Sequence, residues 1–209
     1  MKDQVDKIFA DKWNKGGTLY FYSDPHFGDE EMKIYRKNYV NDDEQIRRIN
    51  SKVGKKDTIV FLGDIGDVNY IKKIRGYKVL IMGNHDKGVS NYKREIHYYS
   101  DLGEIFVDDL SGLEKSEIRV EDNHLFDEVY AGPLMISDRI LLSHEPIPLP
   151  YVLNIHGHDH SNKEAVSPHH LNMCAEHIDY TPVLFKDIVR SGIMKEVPDI
   201  HRFTIDKIK

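Results

Sequence analysis

The chain has 209 residues, 40% of them apolar and 31% charged, which is enough to bury a core without a staple and fits one domain spanning residues 1–209. Its longest apolar runs, at residues 58–62 and 78–82, are far too short to cross a bilayer, and the amino terminus lacks a signal-peptide core, so a cytoplasmic location is expected. The net charge of −6 argues against a broad nucleic-acid surface while leaving a small or local nucleic-acid substrate open, and the single cysteine, Cys174, excludes an internal disulfide and a thiolate metal cluster.

Residues 3–13 pattern as a short amphipathic helix, with Val5, Ile8 and Phe9 on one side, broken by Gly16-Gly17. Residues 18–23 (TLYFYS) read as a strand. Residues 41–53 read as a helix: Asn41 is a good N-cap, and Ile46, Ile49 and Val53 share a face. Residues 57–62 (DTIVFL) and 78–82 (KVLIM) are buried strands stopped by Gly63 and Gly83, with a short helix at 68–74 between them. This alternation indicates a sheet covered by helices. Tyr92, Tyr98 and Tyr99 around Arg94 read as an amphipathic helix with an aromatic side. In the second half, residues 104–107, 128–130, 134–136, 140–143 and 151–155 form short strands, the pattern of a second, more antiparallel sheet. Pro146, Pro148 and Pro150 hold an extended loop. Residues 184–191 close the chain with a helix and 201–205 with a strand, while residues 108–123 suit a mobile, charged insertion.

The loops at the strand ends are more informative than the strands themselves. The first strand leads into Asp24-Pro25-His26, the second into Gly63-Asp64, and the third into Gly83-Asn84-His85-Asp86. Two later strands lead into His144 and into Gly157-His158-Asp159-His160. Ligands of open α/β sheets bind at the carboxyl ends of strands, so these five loops should converge on one edge. Each loop alone is weak: Asp-x-His or Gly-Asp is commonly a turn, and a lone strand-end histidine is commonly structural. Together they crowd carboxylates and imidazoles into one cleft, which is costly unless a cation neutralises them. Outside this set, His156 reads as strand packing, Cys174 as a small buried residue, and His169, His170, His177 and Lys87 as solvated surface.

In this order the motifs resemble the calcineurin-like metallophosphoesterase superfamily, from Asp24 to His160. The resemblance implies an α/β fold, a four-layered α/β/β/α sandwich of two mixed sheets flanked by helices. It also implies two divalent metal ions bridged by Asp64. Asp24, His26 and His160 would hold the first ion; Asn84, His144 and His158 would hold the second. His85 would face the scissile ester as a catalytic group, with Asp86 beside it to orient it. Spacing agrees, because residues two apart in an extended segment, such as His158 and His160, can point the same way. Two cations about 3.5–4 Å apart would clamp the phosphoryl oxygens while hydroxide formed between them attacks phosphorus in line. The histidine-rich donor set favours Mn, Fe, Zn, Co or Ni over Mg, with Mn first.

The phosphoprotein phosphatases of this superfamily carry an arginine shortly after their Gly-Asp-x-x-Asp segment. Here Val68 comes directly after Gly63-Asp64-Ile65-Gly66-Asp67, which disfavours a protein phosphatase. The intact Asp-x-His resembles the small bacterial and phage-type phosphodiesterases, so the expected substrate is a small or nucleotide-like phosphodiester. A phosphomonoesterase or nucleotide pyrophosphatase using the same site is the near alternative, and a catalytically silent scaffold the distant one.

Overall fold

The computed structural model describes residues 8, 13, 17–106, 114, 118–161 and 169–198. In chain order the strands and α-helices are β1 (Leu19–Tyr22), α1 (Met32–Tyr35), α2 (Asp42–Lys52), β2 (Thr58–Phe61), β3 (Tyr77–Ile81), β4 (Ile96–Ser100), β5 (Gly103–Ile105), β6 (Arg119–Asp122), β7 (Glu128–Tyr130), β8 (Leu134–Ser137), β9 (Ile140–Leu142), β10 (Leu153–His156), β11 (His170–Asn172), β12 (Val183–Leu184) and α3 (Phe185–Arg190), and the short helix expected at 68–74 is a 3-10 helix, Val68–Lys73. The helix expected at 3–13 and the strand expected at 201–205 fall largely or wholly outside the described residues. No helix among the described residues is long and apolar enough to cross a membrane.

The architecture is mixed α/β, with two principal sheets. The first has the order β12-β1-β2-β3-β7, parallel except for β12 at its edge. The second has the order β11-β10-β9-β8. Alternate residues of β1, β2 and β3 face opposite ways, as the period of a strand requires. Leu19, Phe21, Val60, Val79 and Ile81 pack against Ile136, Ile140, Leu142, Leu153 and Ile155 of the second sheet. Tyr22, Ile59, Phe61 and Leu80 turn to the other side, where Ile46, Ile49 and Val53 of α2 and its C-cap cover them. Asn41 caps α2 through its side chain, accepting from the Glu44 N–H at 3.0 Å.

Three expectations are corrected. Strand β7 belongs to the first sheet, parallel to β3, and β5, where a strand of the second sheet was expected at 104–107, pairs with β4 in a separate small sheet. Val129 packs on the α2 side, Tyr130 packs between the sheets, and three residues are too few to carry a periodic signal. The second sheet is also mostly parallel: β9–β10 and β10–β11 run parallel, and only β8–β9 is a hairpin. The proline-bearing connection after β9 is long enough to return the chain to the same end. Asn154 of β10 holds it there by accepting from the Ile147 N–H at 2.8 Å. Finally, Tyr98 and Tyr99 lie on strand β4 of a small antiparallel sheet, order β5-β4-β6, and not on a helix. Strand β6 falls within the stretch expected to be a mobile insertion; most of residues 107–117 lie outside the described residues.

Candidate metal centre

Strands β1, β2 and β3 run parallel, so the loops after them leave from one edge; the loops after β9, β10 and β11 leave the second sheet toward the same place. Backbone hydrogen bonds sew the loops together. The N–H groups of Asp24, His26 and Phe27 donate to Gly63, Asp64 and Ile65 at 3.1, 3.1 and 2.9 Å, and Gly157 donates to the His144 carbonyl at 2.9 Å. The ends of β1 and β11 meet in a parallel bridge between Ser23 and Cys174.

All seven expected metal ligands come together here. The donor atoms of Asp24, His26 and His160 lie within 4.8 Å of one another, as do those of Asp64, His144 and His158. Asp64 stands between the groups, its Oδ2 3.7 Å from His26 Nε2 and 3.4 Å from His144 Nε2. Asn84 Oδ1 lies 2.8 Å from His144 Nε2, which places it with the second group. His85 is exposed at the mouth, with its ring 5.8 Å from that of His26.

The backbone is bent to achieve this. Asp24, His26, Asp64 and His158 have φ of 54°, 47°, 52° and 68°, a left-handed conformation uncommon for residues with a side chain and concentrated at functional sites. Two glycines give the room. A Cβ on Gly157 would run into Ser23 and Asp24, and one on Gly63 (φ 103°) would run into His144 and Gly83.

Hydrogen bonds select which carboxylate oxygen faces inward. Asp24 Oδ2 accepts from the Ser23 hydroxyl, from the His158 N–H at 2.9 Å and from the Cys174 thiol at 3.3 Å. Its Oδ1 has no hydrogen-bond partner, and neither does the buried Nε2 of His26, 4.0 Å away. Asp64 Oδ1 likewise accepts from the His85 N–H at 2.9 Å, leaving Oδ2 to the cleft. Buried polar atoms without partners are costly, and a cation would satisfy them. Neutral imidazoles and carboxylates are the donors such an ion takes. Burial lowers the His26 pKa against the pull of Asp24, keeping its ring neutral. Burial also disfavours charge on His144, but the hydrogen bond to Asp64 and the Asp24 and Asp64 charges outweigh it and raise its pKa to about 9.

Asp86 occupies the predicted loop but does not hold His85. Its carboxylate accepts from the backbone N–H groups of Gly83, Asp64 and Ile65 at 2.8, 3.0 and 3.0 Å, tying the β2 and β3 loops together. His170, expected at the solvated surface, is buried on β11 with its ring 5.4 Å from that of His156. Lys87 is exposed as expected.

Sequence reading missed Arg36 and Glu176. Glu176 Oε1 lies 2.6 Å from His160 Nδ1, and its Oε2 lies 3.3 Å from Arg36 Nε. Burial pushes the Glu176 carboxyl up, yet the His160 hydrogen bond and the Arg36 charge together hold it below the ordinary value. Arg36 also donates to the Asp24 carbonyl at 2.7 Å. Glu176 comes after β11 as the other site residues come after their strands, which was the one available signal. Arg36, beyond the short α1, left none.

Comparison with known proteins agrees with the fold and its strand-end cluster. No curated protein matches the chain. Among solved structures, a protein of unknown function, AQ665 from Aquifex aeolicus, is 23% identical with a TM-score of 0.58, over 84% of this chain and 100% of that one. At that identity the likeness speaks for the fold alone. The family model for calcineurin-like phosphoesterases matches residues 17–180, from the start of β1 past Glu176 and thus across every loop that feeds the cluster. The chain therefore belongs to the calcineurin-like phosphoesterase family.

Proposed function

We propose that this protein is a dinuclear metal-dependent phosphodiesterase acting on a small or nucleotide-like diester. The observation that carries the reading is the pair of donor groups with Asp64 between them, its Oδ2 lying within 3.7 Å of a histidine of each group. Asp24, His26 and His160 would hold one ion, and Asn84, His144 and His158 the other. Two divalent ions held there, Mn being first choice for so many nitrogen donors, would supply Lewis-acid charge to the phosphoryl oxygens and lower the pKa of a water nucleophile. The protein's own residues do the rest. Asp24 and Asp64 each present one oxygen because the other already accepts hydrogen bonds from the surrounding loops. Asp86 keeps the β2 and β3 loops in register, so Asp64 and Asn84 hold their separation. His85, exposed beside His26, stands where it can give a proton to the departing alkoxide.

A diester is favoured over a monoester on charge. A monoester phosphate carries close to two negative charges at neutral pH, a diester one. The guanidinium nearest this cluster, Arg36, is buried and committed to Glu176 and the Asp24 carbonyl, so it does not meet a second substrate charge. Val68 stands where the protein phosphatases place an arginine.

The test is hydrolysis of bis-p-nitrophenyl phosphate against p-nitrophenyl phosphate, with Mn²⁺, after chelation, and with His85→Ala. The expected result is faster cleavage of the diester, abolished by chelation and reduced about 10²–10⁴-fold in the variant, the range for a lost general acid. Preference for the monoester would move the assignment to a phosphatase.

A further inference from the structure

The two donor groups are not supported alike. His144 is buried, and its Nδ1 is fixed 2.8 Å from the Leu62 carbonyl, part of the frame of the first sheet. His160 lies beyond β10 on an exposed turn; its side chain is 37% exposed, so the local backbone alone does not hold the ring. Its support comes from two other parts of the chain. Glu176 Oε1 is 2.6 Å from Nδ1 of His160. The Glu176 side chain is only 13% exposed and the Arg36 side chain only 2%, with 3.3 Å between Oε2 and Nε. Arg36 in turn donates to the main-chain carbonyl of Asp24, the residue whose free Oδ1 lies 3.5 Å from His160 Nε2.

We infer that Arg36 and Glu176 form a positioning relay for the first metal ion, fixing His160 with its proton on Nδ1 and its Nε2 lone pair toward the Asp24 carboxylate. This rests on reading the cluster as a metal centre. A carboxylate only accepts, so the ring nitrogen against Glu176 must be the one that donates, and the other nitrogen is left as the ligand. A partner of this kind sets both tautomer and ring direction of a ligating histidine and makes it more basic; losing it typically costs 10–100-fold in metal affinity. Arg36 adds a second constraint. Because it pairs ionically with Glu176 and hydrogen-bonds to the Asp24 carbonyl, it links two ligands of one ion that are 136 residues apart in the chain. His144, the corresponding ligand of the second ion, has no such dependence, since it leans on a backbone carbonyl that a side-chain substitution does not remove. The structure thus assigns the two ions different weaknesses.

The test uses the full-length chain, stripped of metal, as wild type, Glu176→Ala and the isosteric Glu176→Gln, with circular dichroism to verify folding. Two readouts are taken: the tautomer of His160 by nitrogen-15 NMR in metal-free protein, at a pH where the ring is neutral, and Mn²⁺ binding by calorimetry. The relay requires an Nδ1–H tautomer in the wild type that is lost in Glu176→Ala. It also requires that one of two Mn²⁺ ions bind 10–100-fold more weakly in that variant while the other is unchanged. Glu176→Gln keeps the volume but not the charge, and should weaken the same ion without unfolding the protein. An unchanged His160 tautomer in both variants overturns the relay, even if Mn²⁺ binding falls, because Glu176 would then act as a ligand itself. Two ions bound equally well by all three proteins also overturn it. A wild type that binds no Mn²⁺ overturns the metal centre itself, an outcome plainly distinct from those two.

Discussion

The strand-end edge of the two principal sheets and the small β5-β4-β6 sheet use similar residue types to opposite ends. At the edge, Asp24, Asp64 and Asp86 each accept a backbone N–H from a distant segment, and four residues sit in a left-handed backbone. In the small sheet, polar contacts are exposed ion pairs such as Arg119 with Glu121, and Ile96 and Val120 are 45% and 53% exposed. Exposed pairs are worth little, whereas committed buried groups fix geometry at a cost in strain. The difference teaches where precision is concentrated in this molecule. The small sheet is fastened to the body chiefly at its root. Lys78 Nζ, fully buried, donates to the His124 carbonyl at 2.7 Å, and Arg94 pairs with Asp127 at 3.2 Å.

The edge should be the most intolerant of change. Gly157→Ala drives a Cβ into Ser23 and Asp24, so Asp24 and His158 must move. Because a displacement of about 1 Å at a reacting centre costs about a hundredfold, diester hydrolysis should fall by that order. Urea unfolding should show a loss of about 1–3 kcal/mol. A variant with wild-type activity would show the edge to be looser than its contacts imply.

The root of the small sheet should show itself in pH. Burial lowers the Lys78 pKa to about 8, against its ordinary 10.5, despite the pull of Asp127. Between those values the unfolded chain binds more protons than the folded one, so this group's contribution to stability rises with pH. The cost of charging Lys78 is present below pH 8 and fades as pH rises toward 10.5. The stability of wild type minus that of Lys78→Met should therefore increase by about 2 kcal/mol from pH 7 to pH 10. A flat difference would mean that the ammonium is solvated.

The smallest effect belongs to the exposed sheet. Val120→Ser should change unfolding free energy by less than about 0.5 kcal/mol, as exposed substitutions usually do, and leave hydrolysis unchanged. A larger loss would show that this face is packed against something.

Legibility in the sequence divides along the same line. TLYFYS, DTIVFL and KVLIM stand out because strands buried on both faces are continuous apolar runs, and the residues after them are few and chemically distinctive. Asn41 marks the start of α2 because a cap is a local hydrogen bond between residues close in sequence. The small sheet has no such signature: Tyr98 and Tyr99 sit on a half-exposed strand whose pairing with β6 is a long-range matter. Strand β7 carries no local mark of its sheet, because only its fit beside β3 reveals it. Arg36 and Glu176 could not be linked from sequence, since nothing local to either announces a partner 140 positions away.

The central claim is that two ions share Asp64, and anomalous diffraction from crystals soaked in Mn²⁺ tests it most directly. The account predicts two peaks about 3.5–4 Å apart, one within bonding distance of Asp24, His26 and His160, the other of Asn84, His144 and His158, with Asp64 touching both. A single peak, or a pair that leaves Asp64 uncoordinated, would contradict it.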